Sequence, residues 1–160
     1  DTDVSGNKLI IDTKQCLRNT RFHFVLYTPE VGGFKLQGSS DATIGPFVQN
    51  SSMKLEVAGS GKIVSTVSAP FIAVKVSGSG NIVLNGLSDE LLGEISGSGS
   101  VDAYGVAVKI ATVNVAGSGQ LKTTVLNELD VNISGSGRVY YKGNPLVNSN
   151  ISGSGKVIKQ

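Results

Sequence analysis

The triplet Gly-Ser-Gly returns six times in this 160-residue chain, at Gly59–Gly61, Gly78–Gly80, Gly97–Gly99, Gly117–Gly119, Gly135–Gly137 and Gly153–Gly155. The start-to-start intervals are 19, 19, 20, 18 and 18 residues, and a degenerate copy, Gly38-Ser39-Ser40, stands 21 residues ahead of the first. A period of this length marks a solenoid, in which each repeat is one supersecondary unit that buries its apolar face only by stacking on its neighbours.

Aligning the copies on the triplet separates inside from outside. Two residues before it stand Val57, Val76, Ile95, Val115, Ile133 and Ile151; two residues after it stand Ile63, Ile82, Val101, Leu121, Val139 and Val157. All are aliphatic and all but Leu121 are β-branched, the preference of strand cores. Alternate residues of a strand share one face, so these two columns are expected to stack inside the solenoid. Four residues before the triplet come Leu55, Val74, Gly93, Val113, Val131 and Ser149, of the same parity. The residue just after the triplet is always polar: Lys62, Asn81, Ser100, Gln120, Arg138, Lys156.

The glycines fit a sharp corner between two short strands, which needs either positive φ or room for a crowded backbone. The intervening serines are expected to form a column whose hydroxyls bond neighbouring backbone groups. Three residues before each triplet stand Glu56, Lys75, Glu94, Asn114, Asn132 and Asn150. Stacked in register, the first three would alternate in sign and the last three would form an amide ladder.

These patterns predict an all-β, single-domain parallel β-helix over residues 1–160, with coils of 18–20 residues. Residues 1–50 read as irregular N-terminal strands and 51–160 as the regular coils. A left-handed hexapeptide helix is the rival, because Ile133, Val139, Pro145, Ile151 and Val157 are spaced by six. The longer intervals earlier in the chain break that phase, which favours a right-handed helix. Loops are expected where the copies diverge, at Val67–Phe71, Asn85–Leu92, Tyr104–Lys109, Thr124–Glu128 and Lys142–Asn148. Upstream, Lys8–Asp12, Phe22–Thr28 and Phe34–Leu36 read as strands and Val31-Gly32-Gly33 as a turn. Ser88–Leu92 has the start of a helical turn, cut short by Gly93.

Composition excludes several classes. Gly makes up 21 residues but without a three-residue period, which rules out collagen, and 39% apolar residues rule out a disordered linker. The net charge of +2 is too small and dispersed to suggest nucleic acid or an anionic membrane as partner. No stretch approaches the roughly 18 to 20 apolar residues of a membrane span.

Few residues carry recognisable chemistry. His23 is the sole histidine and has no nucleophile elbow near it; Cys16 is the sole cysteine, so metal ligands are lacking. Gly59-Ser60-Gly61-Lys62 and Gly153-Ser154-Gly155-Lys156 end like a phosphate-binding loop. That loop also needs an earlier glycine, where Glu56 and Asn150 stand, and a hydroxyl residue after the Lys, where Ile63 and Val157 stand. Asp102 aligns with Lys122 one coil on, an ion pair more than a catalytic dyad. No catalytic, cofactor or metal site is assigned. Tyr104, Tyr140 and Tyr141, as stacking surfaces, and the Asn114, Asn132, Asn150 row are the candidate binding residues.

The run Leu129-Asp130-Val131-Asn132-Ile133-Ser134-Gly135-Ser136-Gly137-Arg138-Val139-Tyr140-Tyr141-Lys142-Gly143-Asn144-Pro145, followed by Ile151–Val157, resembles the C-terminal signature of the auto-transporter adhesin head (GIN) domain family. With the triplets from Ala58 onward, the resemblance covers about two thirds of the chain. It implies a β-helical, extracytoplasmic domain of a Gram-negative bacterium with an adhesive role and no established catalytic residues. It also implies further strands ahead of the part that Asp1–Gly38 matches, so the family's N-terminal portion is expected to be missing.

The function expected from these readings is a non-enzymatic surface or periplasmic β-helix that displays a rigid face to a host or cell-surface protein or glycan. It uses no cofactor and binds no nucleic acid. Two alternatives remain: a β-helix that binds or degrades polysaccharide, and a structural solenoid that assembles through its open ends.

Overall fold

The computed structural model describes residues 2–11, 25–49 and 51–160. His23, Cys16, Asp12 and the first half of the strand expected over Phe22–Thr28 lie outside them, and Val25–Thr28 is not a strand. The described elements are all strands, in chain order β1 (Thr2–Ser5), β2 (Lys8–Ile11), β3 (Gly33–Gly38), β4 (Asp41–Val48), β5 (Met53–Gly59), β6 (Lys62–Ser68) and β7 (Phe71–Gly78). There follow β8 (Asn81–Leu87), β9 (Glu90–Gly97), β10 (Ser100–Gly117), β11 (Gln120–Gly135), β12 (Arg138–Lys142), β13 (Leu146–Gly153) and β14 (Lys156–Lys159). No helix occurs among the described residues, and Ser88 caps none: its hydroxyl sits within hydrogen-bond distance of the Pro70 and Glu90 carbonyls.

β1 and β2 form an antiparallel hairpin through Gly6, whose φ is +59°. The described residues from Gly33 onward form a parallel β-solenoid of about seven turns. It therefore begins inside the stretch expected to be irregular. One face is built from the strands that lead into each triplet: β3, β5, β7, β9, the second halves of β10 and β11, and β13. The second face is built from the strands that leave it: β4, β6, β8, the first halves of β10 and β11, β12 and β14.

The registers match the sequence alignment residue for residue. Leu36, Val57, Val76, Ile95, Val115, Ile133 and Ile151 form one interior column. Ala42, Ile63, Ile82, Val101, Leu121, Val139 and Val157 form the other. Within both columns the residues from Val57 to Val139 are buried; Leu36 and Ala42 in the first coil and Val157 in the last are half-buried, and Ile151 is exposed. Burying a Val, Leu or Ile side chain is worth roughly 1.5–3 kcal/mol, so the two columns supply much of the driving force.

The expected loops shrink or vanish: Val67–Phe71, Asn85–Leu92 and Lys142–Asn148 reduce to the short connections Ala69–Pro70, Ser88–Asp89 and Gly143–Pro145. Tyr104–Lys109 and Thr124–Glu128 are not loops: β10 and β11 run unbroken through them and absorb the extra residues as register shifts, at Ala103/Ala107 and Val108/Ile110 in their mutual pairing. In parallel stacking each N–H can still reach the coil below, so an added residue costs a bulge and the strand continues.

The serine column also works differently. The serine side chains of the triplets are exposed, and the stacking bond comes from the backbone: Ser60, Ser79, Ser98, Ser118 and Ser136 N–H donate to Gly38, Gly59, Gly78, Gly97 and Gly117 carbonyls at 2.8–3.0 Å. The corner is thus hydrogen-bonded along the axis like the strands that flank it.

Candidate functional site

The two glycines of a triplet answer to different constraints. The first has positive φ, from +113° at Gly78 to +129° at Gly59. A Cβ there would also press on the carbonyl of the equivalent glycine one coil below, at 2.6 Å for Gly97 and Gly135. The third has no such φ; its Cβ would collide first with an interior side chain of the coil below, Val76 for Gly99 and Val115 for Gly137, and at Gly99 also with the Gly80 carbonyl at 2.6 Å. Without either Cβ the coils approach closely.

On the first face the outward rows are ordered as the sequence predicts. Lys35 pairs with Glu56 at 3.0 Å and Lys75 with Glu94 at 3.4 Å. Above them Asn114, Asn132 and Asn150 stand in register, and the Asn132 amide Nδ2 donates to Asn114 Oδ1 at 3.0 Å. The neighbouring outward row is short: Ser77, Ser96, Ala116, Ser134 and Ser152. A tall row beside a short one leaves a groove of about 400 Å³ that runs over five coils, walled by Lys75, Glu94 and the three asparagines and floored by Ser96, Ala116, Ser134 and Ser152. A parallel ladder lies beyond it, where Asn148 Nδ2 donates to Asp130 Oδ1 at 2.9 Å. Amides and hydroxyls both donate and accept, so this surface suits neutral hydrogen-bonding partners.

The tyrosines do not join that groove. Tyr104 and Tyr140 belong to the outside of the second face, whereas Tyr141 turns inward and packs against the core. Tyr141 sits four residues after its triplet, in the interior register of Thr123, so its direction was readable from parity alone. Lys142 Nζ lies 4.4 Å from the centre of the Tyr104 ring and Lys122 Nζ 5.8 Å, which makes Tyr104 a cation–π partner for two coils. Burial, then the negative charge of Asp102 and the neighbouring Tyr140, push the Tyr104 hydroxyl above the ordinary tyrosine range.

The carboxylates are dispersed, and four of them, Glu56, Glu94, Asp89 and Asp102, are individually paired with a lysine. Asp102 meets Lys122 at 3.6 Å, as the alignment predicted, and Asp89 meets Lys109 at 2.8 Å. The hydrogen bond that Lys109 donates to Asp89 raises the lysine's pKa above its usual range. Among the described residues no three His, Cys, Asp or Glu side chains gather as metal ligands would.

A family model described as "Putative auto-transporter adhesin, head GIN domain" matches residues 1–145. The chain belongs to that family. The match reaches back to the first residue, further than the triplet region, and stops short of the last coil. No curated protein matches. A crystal structure of a "putative adhesin" from Bacteroides fragilis superposes with a TM-score of 0.82 over 100% of this chain and 76% of that one, at 20% identity, a likeness of fold alone. A "putative lipid binding protein" from Parabacteroides distasonis gives a TM-score of 0.65 at 27% identity, over 80% of this chain and 58% of that one. A "putative adhesin" from the same species gives 0.65 at 28% identity, over 79% and 58%. The chain thus spans a little under three fifths of the two Parabacteroides proteins.

Proposed function

We propose that this GIN-domain chain is a non-enzymatic, extracytoplasmic binding module of a Gram-negative bacterium. It would hold a cell-surface protein or glycan in the groove beside Asn114, Asn132 and Asn150. The observation that carries this reading is the continuous groove of short floor residues and amide wall, supported on a stack of coils. A ladder of main-chain bonds holds the asparagines in register, and the Asn132–Asn114 bond already orders two of their side chains, which lowers the ordering cost of binding. The adhesin names of the family and of its structural neighbours support the same reading. Among the described residues no three acidic or ligating side chains gather, and four of the carboxylates are each engaged by one lysine, which supports a binding role over the acid–base pair that a glycan-cleaving β-helix needs.

The test is a screen of the protein against immobilised neutral glycans and extracellular-matrix proteins, alongside a variant whose groove floor is filled by Ala116→Trp and Ser134→Trp. Both positions point outward, so folding is checked by an unchanged β-sheet circular dichroism spectrum. Binding that falls at least tenfold in the filled variant supports the reading. Absence of any binder, or equal binding by both proteins, overturns it.

A further inference from the structure

Stacked charges in this solenoid come in opposite pairs, with one exception. Lys35 lies against Glu56, Lys75 against Glu94, and Lys122 against Asp102. On the second face, however, Arg138 and Lys156 stand in direct register on β12 and β14, both exposed, with the neutral Gln120 on the other side of Arg138. Like charges directly opposite each other in a ladder are destabilising, and neighbouring strands are only about 4.8 Å apart. Two residues along, the half-buried Tyr140 lies between Lys122 and Ile158 in the next outward row. Lys142, exposed at the end of β12, rests over the Tyr104 ring. Four cations from three successive coils therefore share this face with two tyrosines, and the one carboxylate in these rows, Asp102, is already engaged by Lys122.

We propose that this end of the second face binds an acidic polysaccharide, with carboxylates at Arg138, Lys156 and Lys142 and a sugar ring on Tyr140. Arg138 and Lys156 at the coil spacing, with Lys142 further along β12, suit a polymer with repeated carboxylates, and a continuous parallel sheet suits an extended chain. The tyrosine ring supplies the apolar surface that a pyranose face requires. A bilayer fits less well. Membrane-bound surfaces present protruding apolar side chains beside their cations, whereas Ile158, the aliphatic residue of this outward patch, is half-buried. This site is separate from the groove of the first face and does not depend on the function proposed for that groove.

The experiment measures binding of the 160-residue protein to alginate, with neutral dextran, free glucuronate and phosphatidylglycerol vesicles as parallel probes. Alginate binding that weakens with salt and falls at least tenfold in the double variant Arg138→Gln/Lys156→Gln is expected. Tyr140→Phe should bind like the parent and Tyr140→Ala severalfold more weakly. Arg138→Glu restores the alternation of sign, so it should raise the urea midpoint while abolishing alginate binding, a divergence that a merely structural role would not produce. The proposal is overturned by equal binding of parent and double variant, by equal retention of dextran, or by binding to vesicles without binding to alginate. It is equally overturned if free glucuronate binds as tightly as the polymer, which would indicate a monosaccharide site.

Discussion

Leu121 occupies the space in front of Gly93. A Cβ on Gly93 would run into the Leu121 Cδ1 methyl, and Leu121 Cγ and a Val74 methyl lie 3.8 and 3.9 Å from the same point. Gly93 interrupts an interior column otherwise occupied by Val74 below and Val113 above. Leu121 is the one γ-branched residue in its own column, between Val101 and Val139. The longer side chain reaches across the interior and fills the void that the glycine leaves, as close packing demands.

Repeat consensus would recommend Gly93→Val, and the structure predicts the opposite outcome. Alone, Gly93→Val overpacks the interior and costs about 1–3 kcal/mol. Combined with Leu121→Val it should recover most of that loss, with a coupling energy of about 0.5–3 kcal/mol. Urea midpoints of the two single variants and the double variant, at unchanged slope, measure the cycle.

The two triplet glycines should respond differently to the same substitution. Gly135→Ala places a side chain at φ +118° and 2.6 Å from the Gly117 carbonyl, a backbone atom that cannot move aside. Gly137→Ala meets chiefly a Val115 methyl, a side chain that can be trimmed, and its nearest backbone atom is the Gly119 carbonyl at 3.1 Å. Both changes should destabilise by about 1–3 kcal/mol. Adding Val115→Ala should recover part of the Gly137→Ala loss relative to Val115→Ala alone and none of the Gly135→Ala loss. Thermal midpoints of the parent, the three single variants and the two double variants decide it.

Ser65 and Thr123 are fully buried and their hydroxyls have no hydrogen-bond partner. Both stand in the interior column four residues after a triplet, where Ile44, Leu84 and Ala103 are apolar. An unsatisfied buried hydroxyl costs about 1–3 kcal/mol, so Ser65→Ala and Thr123→Val should each stabilise by about 1 kcal/mol. Three coil steps separate them, and the two gains should add. Denaturant unfolding of the single variants and the pair checks both size and additivity.

Tyr104 should ionise later than a free tyrosine, above about pH 10. Its proton is held more tightly in the folded chain than in the unfolded one. The unfolded state therefore binds fewer protons between the two values, and stability falls as pH rises through that window. An alkaline titration of tyrosinate absorbance should lose its last-rising component in Tyr104→Phe. In Asp102→Asn that component should move down only in part, because burial and not the carboxylate is the larger cause.

Much of the groove was legible in the sequence. The alternating Lys35–Glu56 and Lys75–Glu94 pairs and the Asn132–Asn114 bond follow from one outward column aligned on the triplet. Arg138 over Lys156 was visible in the same way, as two adjacent cations in the column that follows the triplet, although only the absence of a facing carboxylate gives that adjacency meaning. Lys142 over Tyr104 was not legible, because register shifts inside β10 decide which residue of the long strand comes to lie beneath that lysine. The continuity of β10 and β11 was missed for the same reason: divergent spacing reads as a loop when the partner coil's hydrogen bonds are out of view.

By itself the sequence determined the period, the parity and the corners. A two-residue alternation and a restricted backbone are local properties, and repetition makes each local choice reinforce the next. The tertiary structure decided everything that passes between coils without sequence adjacency. It showed which glycine of a triplet answers to φ and which to a side chain below, how Leu121 compensates for Gly93, and how four cations share one face with two tyrosines. Those relations depend on distances of a few ångströms across the stack, and the bulges that set them leave no fixed spacing in the chain.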